Sequence, residues 1–187
     1  MENFIQFCKQ FTVLNDEARN DLAARLKPKD LARNEYLVKQ GQVCRHLCFI
    51  IDGVIKLGFC KEGKEFIMRF FSDKELFTAL DSFSCQEPSA YYIRAIVPTQ
   101  VLLISRKDLE ELCQKHHCIE TFFRKFVTFA GTHMMERISE MLEENATTRY
   151  LHFVAQNRHL LPYLSLGNQA SYLGITQVSL SRIRAQY

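Results

Sequence analysis

The sequence predicts an α+β protein in three consecutive parts: an N-terminal antiparallel β jelly-roll barrel with flanking helices, one long helix, and a C-terminal helix-turn-helix. Three observations carry that expectation. Short apolar or alternating runs, each bounded by turn residues, follow one another from Tyr36 to Ile104, the pattern of an antiparallel barrel or jelly roll. A wide apolar stripe at three- and four-residue spacings begins after Cys118, the mark of a long amphipathic helix. From Asn145 to Tyr187 there are four arginines and no Asp or Glu, whereas residues 1–144 carry 20 Lys and Arg against 21 Asp and Glu. The net charge of +3 is therefore −1 up to Glu144 and +4 beyond it, and a small basic unit behind a neutral one suits a polyanionic partner.

Taken in order, Asn15-Asp16-Glu17 caps a helix running to about Leu26, with Pro28 stopping it. The strand candidates are Tyr36–Val38, Leu47–Ile51, Val54–Phe59, Phe66–Phe71, Tyr91–Val97 and Val101–Ile104. Asp52-Gly53 reads as a hairpin turn because both residues tolerate positive φ, and Lys61-Glu62-Gly63-Lys64 as a second, longer hairpin loop. Ser105 with Asp108 three residues later resembles a capping box. The long stripe runs from Ile119 through Phe122, Phe126, Ala130, Met134 and Ile138 to Leu142, about 25 residues or roughly 37 Å of helix. It is wide enough to pack on the barrel along one part and meet a partner helix along another, and Phe122, Phe126, Phe129 and His133 form the candidate dimer seam. The polar stretch from Glu143 to Thr148 carries capping residues, so the expected units are a sensor domain at 1–117, a dimerisation helix at 118–144 and a DNA-binding domain at 145–187. Within the last unit Thr148–Gln156 reads as a helix, Pro162–Gly167 as a loop, and Ala170 to Arg184 as two short helices around a tight turn at Gly174.

Several classes are excluded. No run approaches the ~18 apolar residues of a membrane span, and Met1-Glu2-Asn3-Phe4 lacks the layout of a signal peptide. Seven irregularly spaced cysteines fit reduced thiols in the cytoplasm better than disulfides. Cys113, His116, His117 and Cys118 lack the second ligand pair of a structural zinc site. Cys44, His46 and Cys48 would share one face of a strand, but small buried side chains are the simpler account and no metal is expected. No phosphate loop, metalloprotease helix or nucleophile elbow is present, so the chain is not read as an enzyme.

The order of helix, jelly roll, long helix and helix-turn-helix, with Phe49-Ile50-Ile51-Asp52-Gly53 and Ser171-Tyr172-Leu173-Gly174-Ile175-Thr176, resembles the Crp/Fnr family of bacterial transcription regulators. The Leu-Gly-Ile-Thr turn followed by Leu180-Ser181-Arg182-Ile183-Arg184 is similar to Bacteroidetes-type members. The resemblance implies a homodimer joined by the long helix, with duplex DNA, RNA polymerase and a small-molecule effector as partners. It implies an effector pocket around Glu75, Leu76, Ser89 and Ala90. Relatives that bind cyclic AMP use a Gly-Glu-Leu segment for the ribose and an Arg-Ser/Thr-Ala segment for the phosphate. Here these positions read Lys74-Glu75-Leu76 and Ser89-Ala90-Tyr91, with no arginine at the phosphate position and Arg94 on another part of the sheet. Cyclic AMP is therefore not the expected effector, and the cofactor is unassigned.

The second helix presents Gln177, Ser179, Arg182 and Arg184, which suit either base edges or phosphates, while Leu180 and Ile183 point to a core. Thr176 reads as its N-cap, with a hydroxyl that can also meet phosphate. Arg149 and Arg158 are further candidates for phosphate contact. The family commonly has a hydrophobic residue at position 169 and a glutamate at 178. Gln169 is expected to weaken the packing of the first helix, and Val178 offers an apolar contact to a thymine methyl. The alternatives are a solvated helix face and, for the whole chain, a ligand-sensing or protein-interaction module whose helix-turn-helix has decayed, as Gln169 and the chain end at Tyr187 would suggest.

Overall fold

The structure, a computed structural model, describes residues 2–186. Its strands are β1 (Lys27–Leu31), β2 (Tyr36–Val38), β3 (His46–Asp52), β4 (Ile55–Lys61), β5 (Lys64–Phe71), β6 (Leu76–Phe77), β7 (Tyr92–Ala95) and β8 (Thr99–Ser105). They form two four-stranded antiparallel sheets, ordered β1-β8-β3-β6 and β2-β7-β4-β5. The strands are the expected ones plus two. The helix before β1 ends at Arg25, close to the expected Leu26, and Pro28 then lies inside β1, which is possible because β1 is an edge strand and needs no ladder donor on its open side. The two-residue β6 is too short to leave a period in the sequence.

The two turns behave differently from expectation. Asp52-Gly53 does not close a hairpin, because β3 and β4 belong to different sheets. Gly53, at φ 113°, carries the chain across: a Cβ there would lie 2.4 Å from Thr99 Oγ1, so only glycine lets Val54 enter and bond Thr99. Lys61 and Lys64 pair directly, so the second loop is the tighter one. Its two residues, Glu62 and Gly63, both have positive φ, as a two-residue hairpin matched to sheet twist requires.

Helices pack at both ends of this unit. They are α1 (Glu2–Cys8), α2 (Asp16–Arg25), the short α3 (Leu80–Cys85), α4 (Arg106–Lys115) and the 27-residue α5 (His117–Glu143). Asn15 caps α2 and Ser105 caps α4, each side chain accepting from the backbone N–H three residues on. The first half of α5 is consumed by its own subunit. Phe122 and Phe126 are buried beside Phe4, Phe7, Phe11 and Phe49, with Phe4–Phe49 ring centroids 5.1 Å apart and Phe11–Phe122 5.8 Å apart. Of the expected seam, Phe122 and Phe126 are therefore core, whereas Phe129 is exposed and His133 half-buried. The aromatic side chains of α1 and Phe11 reach Phe122 and Phe126 first and leave them no surface for a partner. On the second half Met134, Met135, Ile138, Met141 and Leu142 are exposed.

After Glu144 the chain forms α6 (Ala146–Gln156), a 3-10 turn at Leu161–Tyr163, α7 (Leu166–Leu173) and α8 (Gln177–Arg184). The loop is shorter than the expected Pro162–Gly167, since Ser165 caps α7 and Gly167 is helical. These helices do not form an isolated core. Phe153, Leu164, Leu173 and Leu180 share an apolar cluster with Val54, Ile67, Phe70 and Ile96 of the β-rich unit, and Phe70 and Phe153 both pack on Tyr172.

Candidate nucleic-acid interface and sensor cavity

Gly174, at φ 69°, caps α7 in the left-handed conformation, with its N–H donating to the Ala170 carbonyl. The chain turns, and Thr176 opens α8 by accepting from Ser179 N–H at 3.1 Å. The Thr176 and Ser179 hydroxyls lie 2.9 Å apart. Leu180 and Ile183 are buried while Gln177, Val178, Ser181, Arg182 and Arg184 are exposed, Val178 by 62%. The result is a helix-turn-helix whose second helix shows hydroxyl, amide, apolar and guanidinium groups to solvent. Gln177 rests its amide over Gly167 at the start of α7, where a Cβ would be 3.3 Å away.

Two sequence expectations change here. Gln169 is buried, and its side-chain amide donates to the Leu164 carbonyl at 3.1 Å. A satisfied donor at that depth holds the loop onto α7 and does not weaken the packing. Arg149 is also buried, donating to the Leu173 carbonyl at 3.2 and 3.1 Å and to the Glu144 carbonyl. Its charge caps the C-terminal end of α7 and is not available to phosphate, whereas Arg158 is exposed.

Long-range contacts tie this module to the rest of the chain. Arg137 of α5 donates to the Tyr172 carbonyl, pairs with Glu140, and holds its guanidinium 3.9 Å from the Tyr172 ring centroid. One turn on, Met141 Cε sits where a Cβ on Gly174 would be 2.9 Å away. On the sheet side, Lys56 Nζ lies 2.7 Å from Glu65 and 3.2 Å from Asn168 Oδ1 of α7. Tyr92 donates to the same Glu65 carboxylate at 2.6 Å. Burial would raise the Glu65 carboxyl, but Lys56 and Tyr92 overcome it and hold the group below its usual range. The Tyr92 hydroxyl is pushed up by burial and by that carboxylate.

A cavity of about 550 Å³ lies between the two-sheet unit and α5. Glu75 and Leu76 line it, as do Arg69, Tyr91, Phe126, Phe129, His133 and Arg137; Ser89 and Ala90 are not in its wall. Instead their donors are taken by Asp81: Ser89 Oγ lies 3.1 Å from both carboxylate oxygens and Ala90 N–H donates at 2.9 Å. Glu75 accepts from Ser72 N–H at 2.6 Å and faces Arg69 at 3.4 Å. Lys74, in the place where nucleotide-binding relatives carry glycine, holds φ 66°. Arg94 points elsewhere, donating to the Asn34 carbonyl and stacking over Tyr36.

Cys44 and Cys48 are buried with their thiols toward the His46 carbonyl, and burial pushes Cys48 well above the ordinary thiol range. Glu17, Asp21 and His116 do bring three potential metal ligands together. Lys115 Nζ, however, already lies 2.9 Å from Glu17 and 2.8 Å from Asp21, and the ammonium supplies the positive charge a cation would bring.

Residues 28–116 match the family model of the cyclic nucleotide-binding domain. Over those residues the chain is similar to that domain, and its whole fold is of Crp/Fnr type. Among solved structures, a protein from Eubacterium rectale assigned to the Crp/Fnr family of transcriptional regulators superposes with a TM-score of 0.75 at 14% identity, covering 92% of this chain and 83% of that one. FixK2 from Bradyrhizobium japonicum gives 0.71 at 17% identity, over 86% and 83% of the two chains. The c-di-GMP-responsive global regulator CLP of Xanthomonas campestris gives 0.66 at 14%, over 92% and 91%. No curated protein sequence matches the chain. At these identities the likeness establishes the Crp/Fnr fold and leaves ligand and target to the side chains. No helix among the described residues is long and apolar enough to cross a membrane.

Proposed function

We propose that this chain is a cytoplasmic, homodimeric transcription regulator of Crp/Fnr type, with no catalytic activity of its own. Residues 1–117 act as the sensor, 118–144 join two copies and 145–187 read duplex DNA. The observation that carries the reading is the capped α7–Gly174–α8 turn, which displays Gln177, Val178, Arg182 and Arg184 on a unit without a single acidic residue. A helix so displayed fits the major groove, where arginine reads guanine and glutamine reads adenine, and Thr176 and Ser179 stand at its N-terminus for a phosphate. Contact with RNA polymerase follows from a position at promoters.

Dimerisation is assigned to the second half of α5 and not to Phe122 or Phe126. Phe129, Met134, Met135, Ile138 and Leu142 are between 42% and 81% exposed, an apolar strip that a second copy of the same helix covers by knobs-into-holes packing. Arg137 touches both the cavity and Tyr172, so an effector that alters α5 also alters the seating of the helix-turn-helix. That is a shift between two dimer populations.

The test is binding of the purified protein to duplex DNA by fluorescence anisotropy across a salt series, followed by selection from random duplexes. Affinity should fall steeply with salt and the selection should enrich one two-fold motif. Enrichment of no motif would remove the regulator reading.

A further inference from the structure

We propose that Cys44 and Cys48 form a two-coordinate site for a soft monovalent metal ion, copper(I) or silver(I), where β3 meets the residue that follows β6. The observation that carries it is a crowded carbonyl. The His46 carbonyl oxygen accepts from Thr78 Oγ1 at 2.9 Å, and the Cys44 and Cys48 sulfurs each lie 3.6 Å from it. Cys44 Sγ is also 3.3 Å from Thr78 Oγ1. An oxygen with two lone pairs cannot serve three donors well, so both thiols converge on one buried point and are weakly satisfied there. Cys44 and Cys48 are each 1% exposed. A cavity of about 170 Å³ adjoins them, walled by Leu37, Val38 and Val43 and by the exposed Arg45.

Both ligands stand on fixed backbone. The Cys44 N–H donates to Ser82 Oγ at 2.8 Å and its carbonyl accepts from Gln86 Nε2 at 3.2 Å. Cys48 is held in the sheet between Leu103 and Phe77. Side-chain rotation alone therefore turns the sulfurs toward one ion. Thiolates select soft ions such as copper(I). Zinc wants four ligands, and among the described residues the group of three close ligand atoms lies elsewhere, at Glu17, Asp21 and His116. Burial keeps an uncoordinated Cys48 protonated, but a coordinating thiol is deprotonated outright. Each ion displaces two protons to solvent and forms two metal–sulfur bonds, which leaves the sulfur–metal–sulfur unit with one negative charge. The surroundings suit that charge. Lys29 favours the thiolate of Cys48, and after burial it is Lys27, Lys29 and Arg45 that hold the His46 imidazole below its usual range, against Asp108. A divalent ion would leave the unit neutral and short of ligands.

The experiment titrates the reduced full chain, without oxygen, with tetrakis(acetonitrile)copper(I) against the chromogenic chelator bicinchoninate. The expected result is one copper(I) per chain held against the chelator, with two protons released per ion. Copper X-ray absorption of the loaded wild type should show two sulfur neighbours and no other ligand, a readout that does not depend on any variant folding. Cys44→Ala and Cys48→Ala should each weaken binding about a hundredfold or more, since losing even a ligand's outer partner costs about 10–100-fold. Cys113→Ala and Cys118→Ala should leave it unchanged. Surrender of the copper to the chelator overturns the proposal. So does copper retained by a folded Cys44→Ala or Cys48→Ala chain, or lost from Cys113→Ala or Cys118→Ala. A sphere of three or four ligands, or displacement of the copper by equimolar zinc(II), overturns it too. DNA binding plays no part in these readouts, so failure of the metal site and failure of the regulator reading are distinct results.

Discussion

Replacing Arg137 by methionine removes the guanidinium that joins α5 to the helix-turn-helix while keeping much of the aliphatic stem. That group lies 3.9 Å from the Tyr172 ring centroid and donates to the Tyr172 carbonyl, on a side chain only 13% exposed. A hydrogen bond from a charged donor contributes about 1.5–3 kcal/mol, and a partly desolvated cation–π contact about 1 kcal/mol. The i,i+3 pair with Glu140 adds no more than about 0.5 kcal/mol. The expected loss is therefore about 2–4 kcal/mol. If the module can leave the sheet without global unfolding, its undocked population rises about 30- to 1000-fold at 1.4 kcal/mol per decade. Urea denaturation measures the first quantity, and limited proteolysis of the Glu143–Ala146 link measures the second. Arg137→Lys should fall between, because it keeps the charge and loses the planar face that stacks on Tyr172. A loss below about 1 kcal/mol with unchanged cleavage of the link would refute the idea that Arg137 holds the module in place.

Arg182→Ala should cost about 1–3 kcal/mol on the selected DNA site, whereas Arg149→Ala should lower the urea midpoint and leave the salt slope of DNA binding unchanged; the reverse pattern would mean that Arg149 reaches phosphate. Met135→Glu should convert the dimer to folded monomers in sedimentation, while Phe122→Ala should cost about 3–5 kcal/mol of stability, so a dimer that survives Met135→Glu moves the interface elsewhere. The Glu65 carboxyl is held below its usual range, so its contribution is present above the ordinary carboxylate pKa and is lost as pH falls through the lowered one. The stability gap between wild type and Glu65→Gln should accordingly narrow below about pH 4, and a gap independent of pH would show that the Lys56–Glu65 pair is not stabilising. Gly53→Ala should destabilise by about 3 kcal/mol in the same urea assay, because it meets both the positive φ and the 2.4 Å approach of Thr99; a neutral result would mean the crossing rearranges freely.

Local order was readable wherever a signal is confined to a few neighbouring residues. Asn15, Ser105, Asn145 and Thr176 all cap helices, because capping depends on a side chain and the N–H three positions on. Gly174 marks the turn for the same reason, and the 27-residue α5 left a periodic stripe too long to mistake. The Crp/Fnr-type fold followed from the order of such elements. Misreadings arose where two residues distant in sequence compete for one position. Asp52-Gly53 has hairpin chemistry, yet Thr99 turns it into a crossing between sheets. Arg149 carries a charge that suits phosphate, yet the Leu173 carbonyl, 24 residues away, takes it.

The amino-acid sequence alone determined the types of element, their order, and the separation of a neutral front from an acid-free tail, since propensity, periodicity and charge are properties of neighbouring residues. Tertiary structure alone decided which side of α5 is core and which stays exposed, because Phe122 and Phe126 are spoken for only once Phe4, Phe7 and Phe11 have packed on them. It likewise decided that Asp81 closes the Ser89–Ala90 corner and that Arg137 reaches Tyr172. Both contacts form between side chains that only the packed sheets and helix bring within hydrogen-bonding distance, a few ångströms over which no local pattern has any hold.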